Sequence, residues 1–352
     1  MALVAVVVAL AVPPGAAAAG LPGGFFGVVP QGELSEADFN RMRGTVGTVR
    51  TFLDWRQVEP RPGVWDFAAF DALVAGAAKR GIQVMPSFYG LPAWAGDLPA
   101  RAPRGAEQRA GWLRFVRRAV GRYGPGGSFW EGRQRRLPIH RWQVWNEPNF
   151  LLFWRPRPEP RRYARLLRDT ARAIRALDPG ARIVAAGVAP VEGGIPPARF
   201  LREMYEVPGA RRSFDIAALH PYATSPASLV YQVRQARAVM AAAGDGAKPL
   251  LISELGVASG ASSPTLFDLG LRGQARFLSR AFGLLVERRR LWRIAGVDWF
   301  SWQDGAGPDP HCPFCEHSGL VRADRSPKPA WRAYRRVVRE TQLMTGRRFN
   351  PR

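Results

Sequence analysis

Eight times along the chain, a short run of β-branched and aromatic residues is followed by a longer stretch rich in arginine and alanine. The short runs have the length of buried strands and the long ones the spacing of helices. Strands are expected at 25–29, 47–53, 82–88, 139–145, 182–186, 214–219, 249–253 and 294–302. The helices expected between and after them run from Ser35 to about 43, then 66–80, 106–123, 161–177, 197–205, 227–243, 271–290 and 330–341. Ser35 is a suitable N-cap, and Asp38 adds negative charge to the first turn. Gly81 stops one helix, and Asp178-Pro179-Gly180 stops another.

Eight consecutive units of this kind fit a closed barrel or a large doubly wound sheet. The first strand is not followed by the glycine-rich turn that a dinucleotide-binding sheet carries. The polar residues with chemical potential fall at the C-terminal ends of several different strands, where barrels build their sites. The fold class expected is therefore α/β, a single (β/α)8 TIM barrel. Its usual size of about 250 residues fits within a chain of 352 that shows no internal linker. Three long irregular segments, 90–105, 124–138 and 303–328, are placed to wall a cleft.

The barrel is assigned to 21–352, because the first twenty residues read differently. Residues 2–12 are apolar and are followed by Pro13, Pro14 and an alanine run. A span needs about 20 apolar residues, so this stretch reads as the core of a signal peptide cleaved near Ala17 to Gly20. It lacks a basic residue ahead of the apolar run. An uncleaved anchor and a buried N-terminal element remain open. A secreted or cell-envelope-associated protein is expected.

The formal net charge is +23, carried almost wholly by arginine, with lysine only at Lys79, Lys248 and Lys328. A field of that sign concentrates anionic partners such as an acidic polysaccharide, a cell wall or a membrane surface. Solvated helix faces explain it equally well, since the basic residues are spread through segments such as 161–175. No zinc-finger, RNA-recognition or basic-zipper pattern is present, so nucleic acid is not an expected partner.

The most specific motif is Trp142-Gln143-Val144-Trp145-Asn146-Glu147-Pro148-Asn149 at the end of the fourth strand. A second glutamate, Glu254, ends the seventh strand in Leu251-Ile252-Ser253-Glu254-Leu255-Gly256, 107 positions later (254 − 147). Two carboxyls at the mouth of one barrel suit glycoside hydrolysis. Retention of configuration requires them about 5–5.5 Å apart, one protonated and one ionised.

On these residues the chain resembles clan A of the glycoside hydrolases, and is most similar to bacterial members of families 5 and 39. The resemblance implies that Glu147 is the acid/base, Glu254 the nucleophile and Asn146 a ligand of the sugar 2-hydroxyl. Trp55-Arg56-Gln57-Val58-Glu59-Pro60 with Gly63-Val64-Trp65-Asp66 looks like the loop after strand two in those families. His220-Pro221-Tyr222 looks like their strand-six motif, whose His or Tyr contacts the nucleophile or the sugar. Arg50 matches an arginine that pairs with the nucleophile, and Trp302 resembles the aromatic platform beneath the cleaved sugar. Trp55 and Trp145, like Trp94 and Trp154, are read either as cleft residues that stack on sugar or as packing. Arg50 is open to being a plain ion-pair partner, and His220 and Tyr222 to being satisfied buried polar groups. The resemblance spans about 25–335.

His311-Cys312-Pro313-Phe314-Cys315-Glu316-His317 offers four potential zinc ligands in seven residues, tighter than the usual paired arrangement. In an oxidising compartment two such thiols pair, so a Cys312–Cys315 disulfide pinning the last βα loop is expected, and no metal. No cofactor is expected either. The function expected is that of a monomeric secreted retaining hydrolase of a β-linked oligo- or polysaccharide. The alternative is a catalytically silent barrel that binds carbohydrate or cell-wall polymer.

Overall fold

Valine, isoleucine and phenylalanine runs broken by small residues favour extended backbone that is buried on both sides. The computed structural model, which describes residues 21–98, 100–260 and 265–345, turns them into eight strands. These are β1 (Phe26–Val29), β2 (Thr48–Asp54), β3 (Gln83–Tyr89), β4 (Arg141–Val144), β5 (Arg182–Val188), β6 (Ile216–Leu219), β7 (Leu250–Leu255) and β8 (Ile294–Phe300). The signal-peptide reading of 1–20 lies outside the described residues.

The helices are α1 (Glu36–Met42), α2 (Trp55–Val58), α3 (Ala68–Lys79), α4 (Gly105–Tyr123), α5 (Pro160–Arg175), α6 (Pro197–Tyr205), α7 (Pro226–Ala242), α8 (Gly270–Glu287) and α9 (Pro329–Thr345). Ser35 and Asp38 form a reciprocal capping box at the start of α1. The short α2, expected only as loop, forms because the Asp54 side chain accepts from the Arg56 amide at 3.0 Å. No helix among the described residues is long and apolar enough to cross a membrane.

All strands are parallel and each pairs with its sequence neighbours. The ring closes where β1 meets β8, with Phe26 opposite Val297 and Val29 opposite Phe300. This is the (β/α)8 barrel that the alternation implies. Its apolar residues form two clusters. One fills the shell between strands and helices and includes Ile183, Ile252, Val297 and Phe282. A small separate one, Met85, Val184, Ile216, Ala218 and Leu251, comes from the opposite faces of neighbouring strands and fills the barrel itself.

The rest of the barrel interior is polar. Arg141 donates to Thr48 Oγ1 at 2.8 Å and Gln83 Oε1 at 2.7 Å. Asp298 on β8 is buried, and its carboxyl is pushed up to about 7 by burial, partly opposed by Arg141 and Arg50. Arg50 lies above it on β2. A line of charge thus runs inside the barrel toward the C-terminal ends of the strands.

The last strand ends two residues earlier than the sequence suggested, and this moves Trp302. Its indole nitrogen donates to Asp38 Oδ1 at 2.9 Å, and its ring meets Trp331 of α9 edge-on at 5.1 Å. The side chain is fully buried, so it is not the sugar platform expected of it. Replacing Trp302 with alanine should therefore cost about 3–5 kcal/mol of stability, the usual range for deleting a buried aromatic. Denaturant unfolding measures this, and a loss below about 1 kcal/mol would place the indole in contact with solvent instead.

Candidate active site

Glu147 stands at the opening of the barrel because the backbone after β4 is turned sharply. Trp145 and Glu147 both adopt positive φ, 73° and 38°, where L-residues rarely sit. Tertiary bonds hold them there. The Trp145 amide donates to Phe88 O at 2.9 Å, and the Glu147 amide to Gly187 O at 3.0 Å. Asn149 closes the turn by donating to Ala189 O at 2.7 Å and Ile195 O at 2.9 Å.

Glu254 arrives on β7 from the other side. Arg50 Nη1 donates to its Oε1 at 2.5 Å, and the Tyr222 hydroxyl donates to its Oε2, also at 2.5 Å. The same guanidinium donates through Nε to Gln143 Oε1 at 2.6 Å and through Nη2 to Asn146 Oδ1 at 2.7 Å. Asn146 Nδ2 has no partner among the described residues.

His220 bridges the two acids. Its Nδ1 lies 2.7 Å from Glu147 Oε1 and 3.6 Å from Glu254 Oε2, and its Nε2 lies 3.0 Å from Ser253 Oγ. A protonated Glu147 donates to Nδ1, and an ionised one accepts from it, so one proton can be shared along that bond. One oxygen from each glutamate and a His220 nitrogen all lie within 4.8 Å of one another. The two carboxyls are thus together in one cleft.

The surroundings split their proton affinities. Burial pushes Glu147 up, and the charge on Glu254 adds to this, against opposition from His220 and Arg50. Burial acts on Glu254 in the same direction, but His220, Arg50 and the bond from Tyr222 together hold it below the usual carboxylate value. The site therefore favours a neutral Glu147 beside an ionised Glu254.

Glu147, His220 and Glu254 are also the one His and carboxylate group among the described residues close enough to hold a metal ion. Arg50 already neutralises Glu254 and would repel a cation there. The donor set suits proton transfer better than ligation.

A glycine makes room for His220. A Cβ built on Gly187 of β5 would stand 2.0 Å from His220 Nε2. Gly256 does the same for the chain after β7, since a Cβ there would meet the Phe300 carbonyl at 1.9 Å.

The structure brings Arg50, Asn146, Glu147, His220, Tyr222 and Glu254 into one constellation. It does not bring in the tryptophans. Trp55 is fully buried, stacked on Phe115 at 5.9 Å with its indole nitrogen on Glu59 Oε2. Trp145 is fully buried among Tyr89, Trp112 and Trp154, its nitrogen on Phe153 O. With Trp302 they are packing residues, because rings without exposed faces cannot stack on sugar. Among the described residues, partly exposed rings near the opening include Phe52, Phe267, Phe300 and Phe314, with Phe52 5.1 Å from Tyr89 and the other three beside Tyr222. Gln143 and Ser253 were also missed. Each is a polar residue inside an otherwise apolar strand, a signal that was there to read.

No family model and no curated protein matches the chain. Solved structures do. One is a family 39 glycoside hydrolase from Bacteroides cellulosilyticus WH2, 22% identical, with a TM-score of 0.67, covering 90% of this chain and 64% of that one. The chain shares the fold of family 39 and family 5 glycoside hydrolases. A monomeric β-xylosidase from Caulobacter crescentus CB15 matches at 20% identity and a TM-score of 0.65, covering 91% and 69%. A family 5 protein from Streptomyces cattleya, solved with GlcNAc, matches at 19% and 0.68, covering 92% and 81%.

Gly187 yields a direct test. Gly187→Ala should fold, yet push the His220 imidazole off its place between Glu147 and Ser253. NMR of protein labelled with 15N at histidine reads the displacement, and a His220 signal unchanged from the parent would mean that the added methyl group is accommodated without moving the ring.

Proposed function

We propose that the protein is a retaining glycosidase that cleaves β-linked sugars by double displacement. The observation carrying this reading is the pair of carboxyls held close together by partners that push their proton affinities apart. Glu147 gives its proton to the leaving oxygen while Glu254 attacks the anomeric carbon. Glu147 then takes a proton from water, which releases the sugar from Glu254. Asn146, fixed through its oxygen by Arg50, presents its free amide to a sugar hydroxyl. His220 relays proton density to Glu147, and Tyr222 and Arg50 keep Glu254 ionised. The residues provide this chemistry without calling on a cofactor. The Cys312–Cys315 disulfide suits an oxidising compartment, which supports export to the medium or the cell envelope. We take the working unit to be a monomer.

The roles of the acids separate by stereochemistry. Glu254→Gly removes the nucleophile, so azide should attack an activated β-glycoside directly and give the α-azide. Glu147→Ala keeps the nucleophile but loses the base, so the glycosyl-enzyme should accumulate and azide should release the β-azide. NMR of the two products decides, and the same anomer from both variants overturns the assignment.

The positive charge supports an anionic glycan as substrate, recognised away from the reacting atoms. Arg50 at the site is engaged with Glu254, and Arg56 at the start of α2 with Asp54. Attraction by exposed charges is screened beyond about 10 Å at 0.1 M salt. KM for an acidic polysaccharide should therefore rise severalfold between 0.05 and 0.5 M NaCl while kcat holds, as an order-of-magnitude expectation from that screening. A KM indifferent to salt would remove the anionic substrate from this proposal.

A further inference from the structure

The segment after β8 carries the disulfide, and its central residue reaches the nucleophile through one intermediary. Cys312 and Cys315 are bridged three positions apart around a 3-10 turn, Pro313–His317. Such a short bridge constrains the unfolded chain less than a long-range one would, so its effect is local. One side of the turn is anchored to the barrel. Gln31 Nε2 lies 2.8 Å from Cys315 O, 2.7 Å from Ser301 Oγ and 3.1 Å from Ser318 Oγ and shares its two hydrogens among them. Lys328, paired with Asp304, donates to His317 O at 3.1 Å. Cys315 is buried there, while Cys312 and Phe314 lie on the partly exposed side.

Phe314 packs edge-on against Tyr222, with ring centres 5.2 Å apart. Phe267 and Phe300 complete the contact, at 5.3 and 6.1 Å from Phe314 and 6.2 and 6.3 Å from Tyr222. Tyr222 in turn holds Glu254 by its hydroxyl. No other aromatic ring touches Tyr222 from the loop side among the described residues.

We infer that Phe314, clamped between Cys312 and Cys315, is a positioning residue for Glu254: it fixes the ring of Tyr222, and thereby the hydrogen bond that Tyr222 gives the carboxylate. Aromatic contacts of this edge-on kind add to what burial alone supplies, enough to decide the orientation of a single ring. The charged and titratable groups facing Glu254 are Arg50 from β2, Glu147 after β4, His220 and Tyr222 after β6, and Asp298 from β8. Only the Tyr222 contact depends on the disulfide loop. Opening the disulfide therefore weakens one hydrogen bond to the nucleophile and leaves the ion pair with Arg50 in place.

The sign of the effect follows. A hydrogen bond to the ionised form lowers a carboxyl pKa, so losing it raises the pKa. A nucleophile that must be ionised then fails at higher pH than before. In Phe314→Ala the Glu254 titration should move up by about one pH unit, the value of one charge-assisted hydrogen bond. The acidic limb of kcat/KM should move with it. Phe314→Leu, which refills most of the space, should recover most of the shift and carries the test if the alanine variant fails to fold. Dithiothreitol closes to its own cyclic disulfide and leaves Cys312 and Cys315 as thiols, so reduced parent protein should shift the same way. In a Tyr222→Phe background, neither Phe314→Ala nor reduction should add anything.

The titration is read by NMR on protein labelled with 13C at the glutamate carboxyls, with Glu254→Gln assigning the signal. A Glu254 signal unmoved in Phe314→Ala or in the reduced protein overturns the inference, as does a shift that persists without the Tyr222 hydroxyl. The effect on turnover rests on the glycosidase reading, but the titration does not. Parent protein that cleaves no glycoside would sink that reading while the carboxyl signal still decides this one.

Discussion

A single guanidinium organises the barrel mouth. Arg50 spends its three nitrogens on Gln143, Asn146 and Glu254, and so ties β2 to β4 and β7 across the interior. It is almost wholly buried, and an unpaired buried charge of this kind is strongly destabilising. The three acceptors are therefore obligatory once Arg50 is inside. The planar fork also fixes them at set angles, so the amide of Asn146 and the carboxylate of Glu254 are presented together.

The asymmetry between the two glutamates grows from that choice. Both are equally buried, and burial alone would push both toward the neutral acid. Of the two acids, Arg50 and Tyr222 hydrogen-bond only Glu254, whereas His220 hydrogen-bonds Glu147 and stands close enough to both to favour their ionised forms. Identical side chains at matching strand ends thus come to differ in proton affinity through their partners. The arginine-rich exterior plays no part in this split, because the groups that create it all lie inside the barrel.

The barrel was legible in the sequence because each strand is buried on both faces and bounded by turn residues, so its period and length stand out. Glu147 and Glu254 were legible because an acid ending an apolar run has few structural excuses. The tryptophans were not. Trp55, Trp145 and Trp302 carry the same side chain whether they line a cleft or fill a shell. Only the direction of one bond at the end of a strand decides, and for Trp302 that direction depends on Asp38 and Trp331, distant in the chain. Phe300 and Phe314 went unread for the complementary reason, since a phenylalanine at a strand end or in a loop gives no sign of facing an opening. Arg50 was legible as a partner of Glu254 only through resemblance, because its acceptors come from β4, the turn after it and β7, all distant from it in the chain.

Gly187 leaves the molecule with a particular way to fail. A glycine codon becomes an alanine codon by one base change, and the added methyl group would occupy the place of His220 Nε2. The strand itself would tolerate it, for alanines already flank that stretch at Ala185 and Ala186. Inheritance can thus reach, in one step, a barrel with both acids, a sound shell and no bridge between them. On the glycosidase reading proposed above, such a descendant would keep its grip on sugar and lose its turnover, so a lineage of glycan-binding barrels need not begin with the loss of a glutamate.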